Sequence, residues 1–339
     1  MNQNLINDLT IKILESPNEI INHLQIGISI PLLPDLYKFI LHDLNYFNAK
    51  SIILLEKGIP IGHSLIYDDG DNTLYFGYFR VLGHEKEKIS YLIEKVINYA
   101  QNNGFKFIRG PINIPAYIYG WGFMKKGSKE DLFIGKPVNP TIYQELFLEK
   151  GFYVKYEENT WEGPVPLFNP WKLKNYDFTE YEFFTPKDLN ELMKLKKDFL
   201  KLYASSMPPS SRITPSVGDF FENIAKFVLK YGDFFMINLV RYKSTGDIVA
   251  CGSWLPNPFR KNKKGNYDSF VAFSLMVDAA HRRKGLLMLM IGETTKQAWK
   301  NEIQIVSVPT GSDNIGVNTV TELVGLTHTR THLIIEFKI

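Results

Sequence analysis

The chain has 339 residues, 45% of them apolar and 22% charged, with a formal net charge of +3. That length and apolar content exceed the needs of one small core and suit two domains. The mild charge, with no Lys/Arg block in either half, leaves no electrostatic footprint for a nucleic-acid partner, and a lone cysteine, Cys251, excludes a disulfide framework and a cysteine-based zinc cluster.

The N-terminus lacks a charged segment followed by an apolar one, so no signal peptide is expected. The longest apolar run, Leu286–Ile291, is far short of the roughly 20 residues that span a bilayer. A cytoplasmic protein without a membrane partner is the expectation. Cys251 lies in the apolar run Ile248-Val-Ala-Cys-Gly and reads as a buried, inert thiol.

In chain order, hydrophobic periodicity predicts strands at 9–14, 51–56, 62–67, 73–82 and 105–109. A helix over 87–103 puts Ile89, Leu92, Ile93, Val96 and Ala100 on one face and ends at Gly104. A second helix, 140–150, stops at Gly151-Phe152 and leads into a strand through Glu158. Beyond the proline-rich stretch 161–176, read as a linker, the pattern predicts a strand at 177–184 and helices at 187–207 and 217–231. Strands at 234–242, 248–255 and 269–277, a helix at 286–300, a strand at 303–308, a helix at 315–323 and a strand at 331–338 complete it. Both halves follow one order, and Gly151-Phe152 recurs as Gly325-Leu326. The expected organisation is a domain over 1–160, a linker over 161–176 and a domain over 177–339, each a mixed α/β sheet.

The most informative stretch is 273–292. An apolar strand enters the basic turn Arg282-Arg283-Lys284-Gly285, and an apolar helix leaves it, aiming free backbone N–H groups and a helix dipole at one point. Such a turn holds a pyrophosphate. Val277, Arg282 and Gly285, followed by Asn314 eleven residues before Gly325-Leu326, resemble the signature of the GNAT acyltransferase superfamily.

The resemblance covers residues from about 176 to the end and implies two tandem acyl-CoA N-acyltransferase-like domains. It implies acetyl-CoA or another acyl-CoA as co-substrate, with the pyrophosphate on the amides of 283–287 and the pantetheine arm along Phe273–Val277. Met276, Val277, Arg282, Arg283, Lys284, Gly285, Leu286, Leu287 and Asn314 are then the cofactor residues. The implied reaction is direct transfer to the amine of a small molecule. Ala279 stands where the family often has Pro, Leu287 where it has Gly or Ala, and Thr321 where many members have a Tyr that protonates the leaving thiolate.

The first half follows the same order without the motif, carrying Glu85 and Glu87 where an anion would dock, and reads as a degenerate copy. Its loop from Gly110 to Phe123 is rich in Pro, Gly and aromatics, and Asn113, Tyr117, Tyr119 and Trp121 are expected to line a substrate cleft. As general base, Asp268 at the mouth of the fourth strand comes first and Glu322 second. His328 and His332, four apart on a strand, are too far apart for a shared metal, and no metal site is expected. Arg260–Lys264 reads as a solvated hairpin tip. Hydrolase, NTPase and zincin motifs are absent from the sequence. A Fem-type aminoacyl transferase using tRNA and a catalytically inactive GNAT-like binding protein are the alternatives.

Overall fold

The computed structural model describes residues 8–28, 30–127, 132–169, 173–206, 213–215 and 217–339. The chain divides into two compact units, the first formed by Met1–Glu158, Ile213–Val217 and Arg330–Ile339, the second by Asn159–Arg212 and Gly218–Thr329.

The first unit contains β1 (Leu9–Leu14), α1 (Pro17–His23), α2 (Tyr37–Tyr46), β2 (Lys50–Glu56), β3 (Ile59–Tyr67), β4 (Thr73–Val81), α3 (Lys86–Asn102), β5 (Phe107–Gly110), α4 (Ala116–Tyr119), β6 (Phe123–Gly127), α5 (Ile142–Glu149) and the start of β7 (Tyr153–Pro164). Strands β1 to β4 form an antiparallel meander, and β4 pairs β5 in parallel across α3. The crossover is helical because Ile89, Leu92, Ile93, Val96 and Ala100 recur at helical spacing and all are buried. Gly104, at φ 76°, ends it, with the Phe105 amide returning to the Ala100 carbonyl. Phe76 stacks on Phe147 at 5.0 Å, and Phe147 meets Phe152 edge-on at 4.9 Å, so the Gly151-Phe152 pair returns the chain to the core.

The second unit contains the rest of β7, β8 (Tyr181–Phe184), α6 (Leu189–Lys194), α7 (Lys196–Ser206), α8 (Phe220–Tyr231), β9 (Ile237–Tyr242), β10 (Ile248–Pro256), β11 (Ser269–Val277), α9 (Leu286–Lys300), β12 (Ile305–Gly311), α10 (Ile315–Leu323) and the first residues of β13 (Thr327–Lys338). Its strand order is β12-β11-β10-β9-β8, again with one parallel pair, β11 with β12. One core cluster joins Tyr181, Val240, Val249 and Ala250 of the sheet to Leu286 and Met290 of α9.

Three expectations change. The helix predicted over 187–207 is two helices meeting at Leu195, whose amide takes a tighter bond to the Leu192 carbonyl, and Met207 lies outside the described residues. The last strand is longer than predicted, and its Arg330–Ile339 portion belongs to the first unit, where Ile335 pairs with Gly110 and Leu333 and Ile335 enter the core. The stretch 161–176 is not a free linker, because β7 runs to Pro164 and the Val165 amide bonds the Gln304 carbonyl.

Two histidines are buried in the first unit. The Nδ1–H of His63 donates to the Tyr78 carbonyl at 2.8 Å, leaving Nε2 to accept from the Ser51 hydroxyl at 2.9 Å. His332 donates from Nε2 to the Pro137 carbonyl at 2.9 Å. Burial pushes them down to about 4 and about 3, respectively. Burial also pushes the Asp43 carboxyl up to about 6. The histidine contributions are complete above the unfolded value of 6.5 and are lost as pH falls; that of Asp43 is present below 3.8 and lost as pH rises through 6. Going from pH 7 to pH 5 costs roughly 2 kcal/mol per histidine and returns roughly 1.4 kcal/mol from Asp43. The histidines win. Urea unfolding of the first unit is expected to show a net loss of about 2.5 kcal/mol at pH 5, and equal or higher stability there would contradict it.

Candidate functional site

The site is a fork in the sheet of the second unit. Strands β11 and β12 pair in parallel at Ser269 with Ile305, Phe270 with Val306 and Val271 with Ser307. Beyond Val271 the register between them stops, so among the described residues Ala272–Val277 pair with β10 on one side and not with β12 on the other. The β10 ladder is itself broken: Ser253 pairs with Ser274 and Trp254 with Ala272, leaving Phe273 as a bulge. A bulge bends its strand and leaves the extra residue outside the ladder.

The strand ends in the turn that the sequence singles out. The Asp278 carboxylate accepts from the Ala280 amide at 2.9 Å, and the Arg282 Nε donates to the Val277 carbonyl at 3.2 Å, closing the turn on the strand end. Arg283 and Gly285 both adopt left-handed φ, 62° and 78°. α9 then begins, with the Leu289 amide bonding the Gly285 carbonyl at 2.9 Å, so the amides of Leu286, Leu287 and Met288 precede the first intrahelical donor. Arg282, Arg283 and Lys284 are exposed around them. Lys284 lies 5.8 Å over the Tyr181 ring.

The cofactor residues proposed from sequence thus fall on one strand edge and one turn, except Asn314. That residue caps α10, its Oδ1 accepting from the Val317 amide at 3.3 Å. Met276 and Leu286 are buried, so they offer main chain rather than side chain. Leu287 packs against the Tyr181 and Val249 cluster; its bulk serves the core, which explains how the turn tolerates it.

Two aromatic residues of the 161–176 stretch pack on α9. A Cβ at Gly285 would come within 2.5 Å of the Tyr176 ring, and one at Gly292 within 2.5 Å of the Phe168 ring. The two glycines are seven apart, two helical turns, so they share a face. They are small because two rings need that room. Cys251 is buried and its thiol is pushed up to about 12 by burial, in keeping with an inert role.

The catalytic residues proposed from sequence are engaged elsewhere. Asp268 precedes β11, at the end away from the turn, and is ion-paired with Arg260 at 3.1 Å. Thr321 is buried, and its hydroxyl donates within α10 to the carbonyls of Val317 and Asn318. Glu322 is exposed. A carboxylate that the sequence did not single out stands closer to the fork: Glu162 on β7 is buried, accepting from Ser307 at 3.3 Å and from Thr329 at 2.8 Å. Ser307 is the last β12 residue paired with β11. No local signal marks Glu162, because it lies in the stretch read as a linker.

In the first unit the corresponding fork is filled. β4 and β5 pair from Thr73 to Tyr75, after which the loop following β5 lies along the open edge. The Ile112 amide bonds the Phe76 carbonyl at 2.7 Å, and the Tyr78 amide donates to Asn113 Oδ1 at 2.6 Å. The Ile112 carbonyl sits where a Cβ at Gly77 would be, 2.2 Å away. Asn113 also donates to the Tyr119 carbonyl at 2.8 Å. Asn113, Tyr117 and Tyr119, expected to line a cleft, are buried in this plug, Asn113 also facing a small cavity; Trp121 is half-buried, with Lys136 over its ring at 5.3 Å. Among the described residues, no group of three or more His, Cys, Asp or Glu side chains could hold a metal, and no helix is long and apolar enough to cross a membrane.

Solved structures share this chain's fold over nearly its whole length at low sequence identity. A tandem GNAT protein from the clavulanic acid biosynthesis pathway matches with a TM-score of 0.62 at 11% identity, over 97% of this chain and 98% of that one. The chain has the tandem GNAT fold. A GCN5-related N-acetyltransferase from Sphaerobacter thermophilus matches at 0.57 and 10% identity, over 98% of this chain and 96% of that one. The glucosamine N-acetyltransferase region of a fungal multi-domain β-N-acetylglucosaminidase matches at 0.61 and 11%, over 97% of this chain but 38% of that one. No family model and no curated protein matches the sequence. Among the described residues the fork of the second unit is open and that of the first is filled.

Proposed function

We propose that the second GNAT unit binds an acyl-CoA and transfers its acyl group to the amine of a small molecule. The observation that carries this is the free edge of Ala272–Val277, open beside β12 and continuous with the amides of 283–287. An amide-bearing pantetheine arm fits such an edge as a strand would, and the pyrophosphate fits the helix start and its cations. The co-substrate is an acyl-CoA, acetyl-CoA the simplest, with no metal required by the chemistry.

In the proposed reaction, the amine nitrogen attacks the thioester carbonyl carbon, the carbonyl electrons shift to oxygen, and the C–S bond breaks as the carbonyl re-forms. The bulged backbone at Phe273 offers the oxyanion a donor. Glu162 takes the proton lost by the amine, and the thiolate acquires one from solvent. Neither Asp268 nor Thr321 carries a step. Isothermal titration of the chain with acetyl-CoA is expected to show one site, and no binding at millimolar ligand would contradict the reading. In a thiol-release assay over a panel of primary amines, Glu162→Gln is expected to lower kcat by about a hundredfold with unchanged acetyl-CoA affinity.

A further inference from the structure

The first unit keeps a small cavity of about 20 Å³ at the closed fork, lined by Phe79, Arg80, Pro111, Phe123, Val138 and Tyr143. Phe79, Pro111, Phe123 and Val138 give it an apolar side, and Arg80 brings a full positive charge to it. The Nε of Arg80 is buried and has no hydrogen-bond partner among the described residues. Its Nη1 makes one long bond, 3.4 Å, to the Ile28 carbonyl. Among the described residues no carboxylate pairs with it, although Glu15, Glu56, Glu85 and Glu94 of the same unit each pair with a lysine.

Tyr143 meets the charge only with a phenol oxygen that hydrogen-bonds the Arg80 side chain. Its hydroxyl is shared between the backbone of Val81 and the His84 ring, at 3.1 and 2.9 Å. Asn139, another lining residue, accepts from the Met124 amide at 3.0 Å, so its carboxamide has the NH2 half left to donate. A half-buried guanidinium with only neutral oxygens around it, an unsatisfied Nε–H and a neighbouring amide donor is a receptor for an anion. The planar Nε and Nη edge matches a carboxylate in bidentate fashion. The small volume and the single cation disfavour a dianion or a nucleotide.

We infer that this cavity is a binding site for a small monocarboxylate, of the size of formate or acetate, held by Arg80 in the first unit. It is independent of the open fork in the second unit and of the activity proposed there. The test is thermal unfolding and isothermal titration of the full chain with sodium formate, sodium acetate, sodium phosphate and sodium chloride at constant ionic strength, for wild type, Arg80→Gln and Val138→Phe. Formate and acetate are expected to bind and to stabilise the wild type. Arg80→Gln is expected to weaken them at least tenfold, and Val138→Phe, which fills the cavity with the charge kept, to do the same. Acetyl-CoA affinity is expected to stay unchanged in both. Equal carboxylate binding by the wild type and either folded variant, or phosphate or chloride acting as strongly as acetate, would overturn the inference. So would the absence of any carboxylate effect on the wild type.

Discussion

Replacing Lys136 with methionine is expected to destabilise the first unit by about 3–5 kcal/mol. Lys136 and Glu158 are both buried, 1% and 3% exposed, and form an ion pair. Removing the ammonium leaves the Glu158 carboxylate out of water without that partner, and the loss exceeds the net worth of the pair. Reversal separates this cause from a packing defect. The double variant Lys136→Met with Glu158→Leu removes both charges and is expected to recover most of the lost stability. Urea unfolding of the three proteins checks it, and a double variant no more stable than the single one would contradict the argument.

Gly285→Glu is expected to weaken acetyl-CoA binding at least a hundredfold, about 3 kcal/mol. Three effects act together. A side chain at φ 78° carries a left-handed strain of about 1 kcal/mol. Its Cβ would come within 2.5 Å of the Tyr176 ring, so that ring must move. Its carboxylate would stand at the helix start, where like charges a few ångströms from a pyrophosphate cost about 4 kcal/mol at an effective dielectric near 20. The same carboxylate is favourable toward the helix dipole itself, so α9 is expected to remain folded. Gly285→Ala has the strain and the contact without the charge and is expected to lose about tenfold. Isothermal titration of both variants checks the order, and equal losses would show that shape rather than charge governs the turn.

Much of the fold was legible because its signals are local. Strand β11 and helices α9 and α10 were predicted to the residue, since each is a run of one periodicity bounded by a turn: Asp278 to Gly285, Asn301, Asn314 and Gly325. The short helices α1 and α2 and strand β6 were missed because each depends on tertiary packing; Ile20 and Ile40, for example, are fully buried although their segments show little amphipathic length. The placement of Arg330–Ile339 with the first unit is a long-range choice that no window of sequence contains.

The candidate site divides in the same way. The turn at 282–287 is contiguous, so composition and spacing reveal it. The plugged fork of the first unit rests on Asn113 reaching Tyr78, 35 residues away, and the loop's aromatic content reads equally as cleft or core. Glu162 reaches the fork through Ser307 and Thr329, more than 140 residues along the chain. Such a carboxylate is invisible to motif reading. Leu287 shows the converse, a departure from pattern whose meaning lies in where the side chain packs.

The account turns on one asymmetry, an open fork in the second unit and a filled one in the first. A crystal of the full chain soaked with acetyl-CoA measures it directly. The predicted result is ligand density beside Ala272–Val277 with the pyrophosphate on the amides of 283–287, and none beside Phe76–Tyr78. An empty fork in the second unit at saturating acetyl-CoA, or density displacing Asn113 in the first, would contradict it.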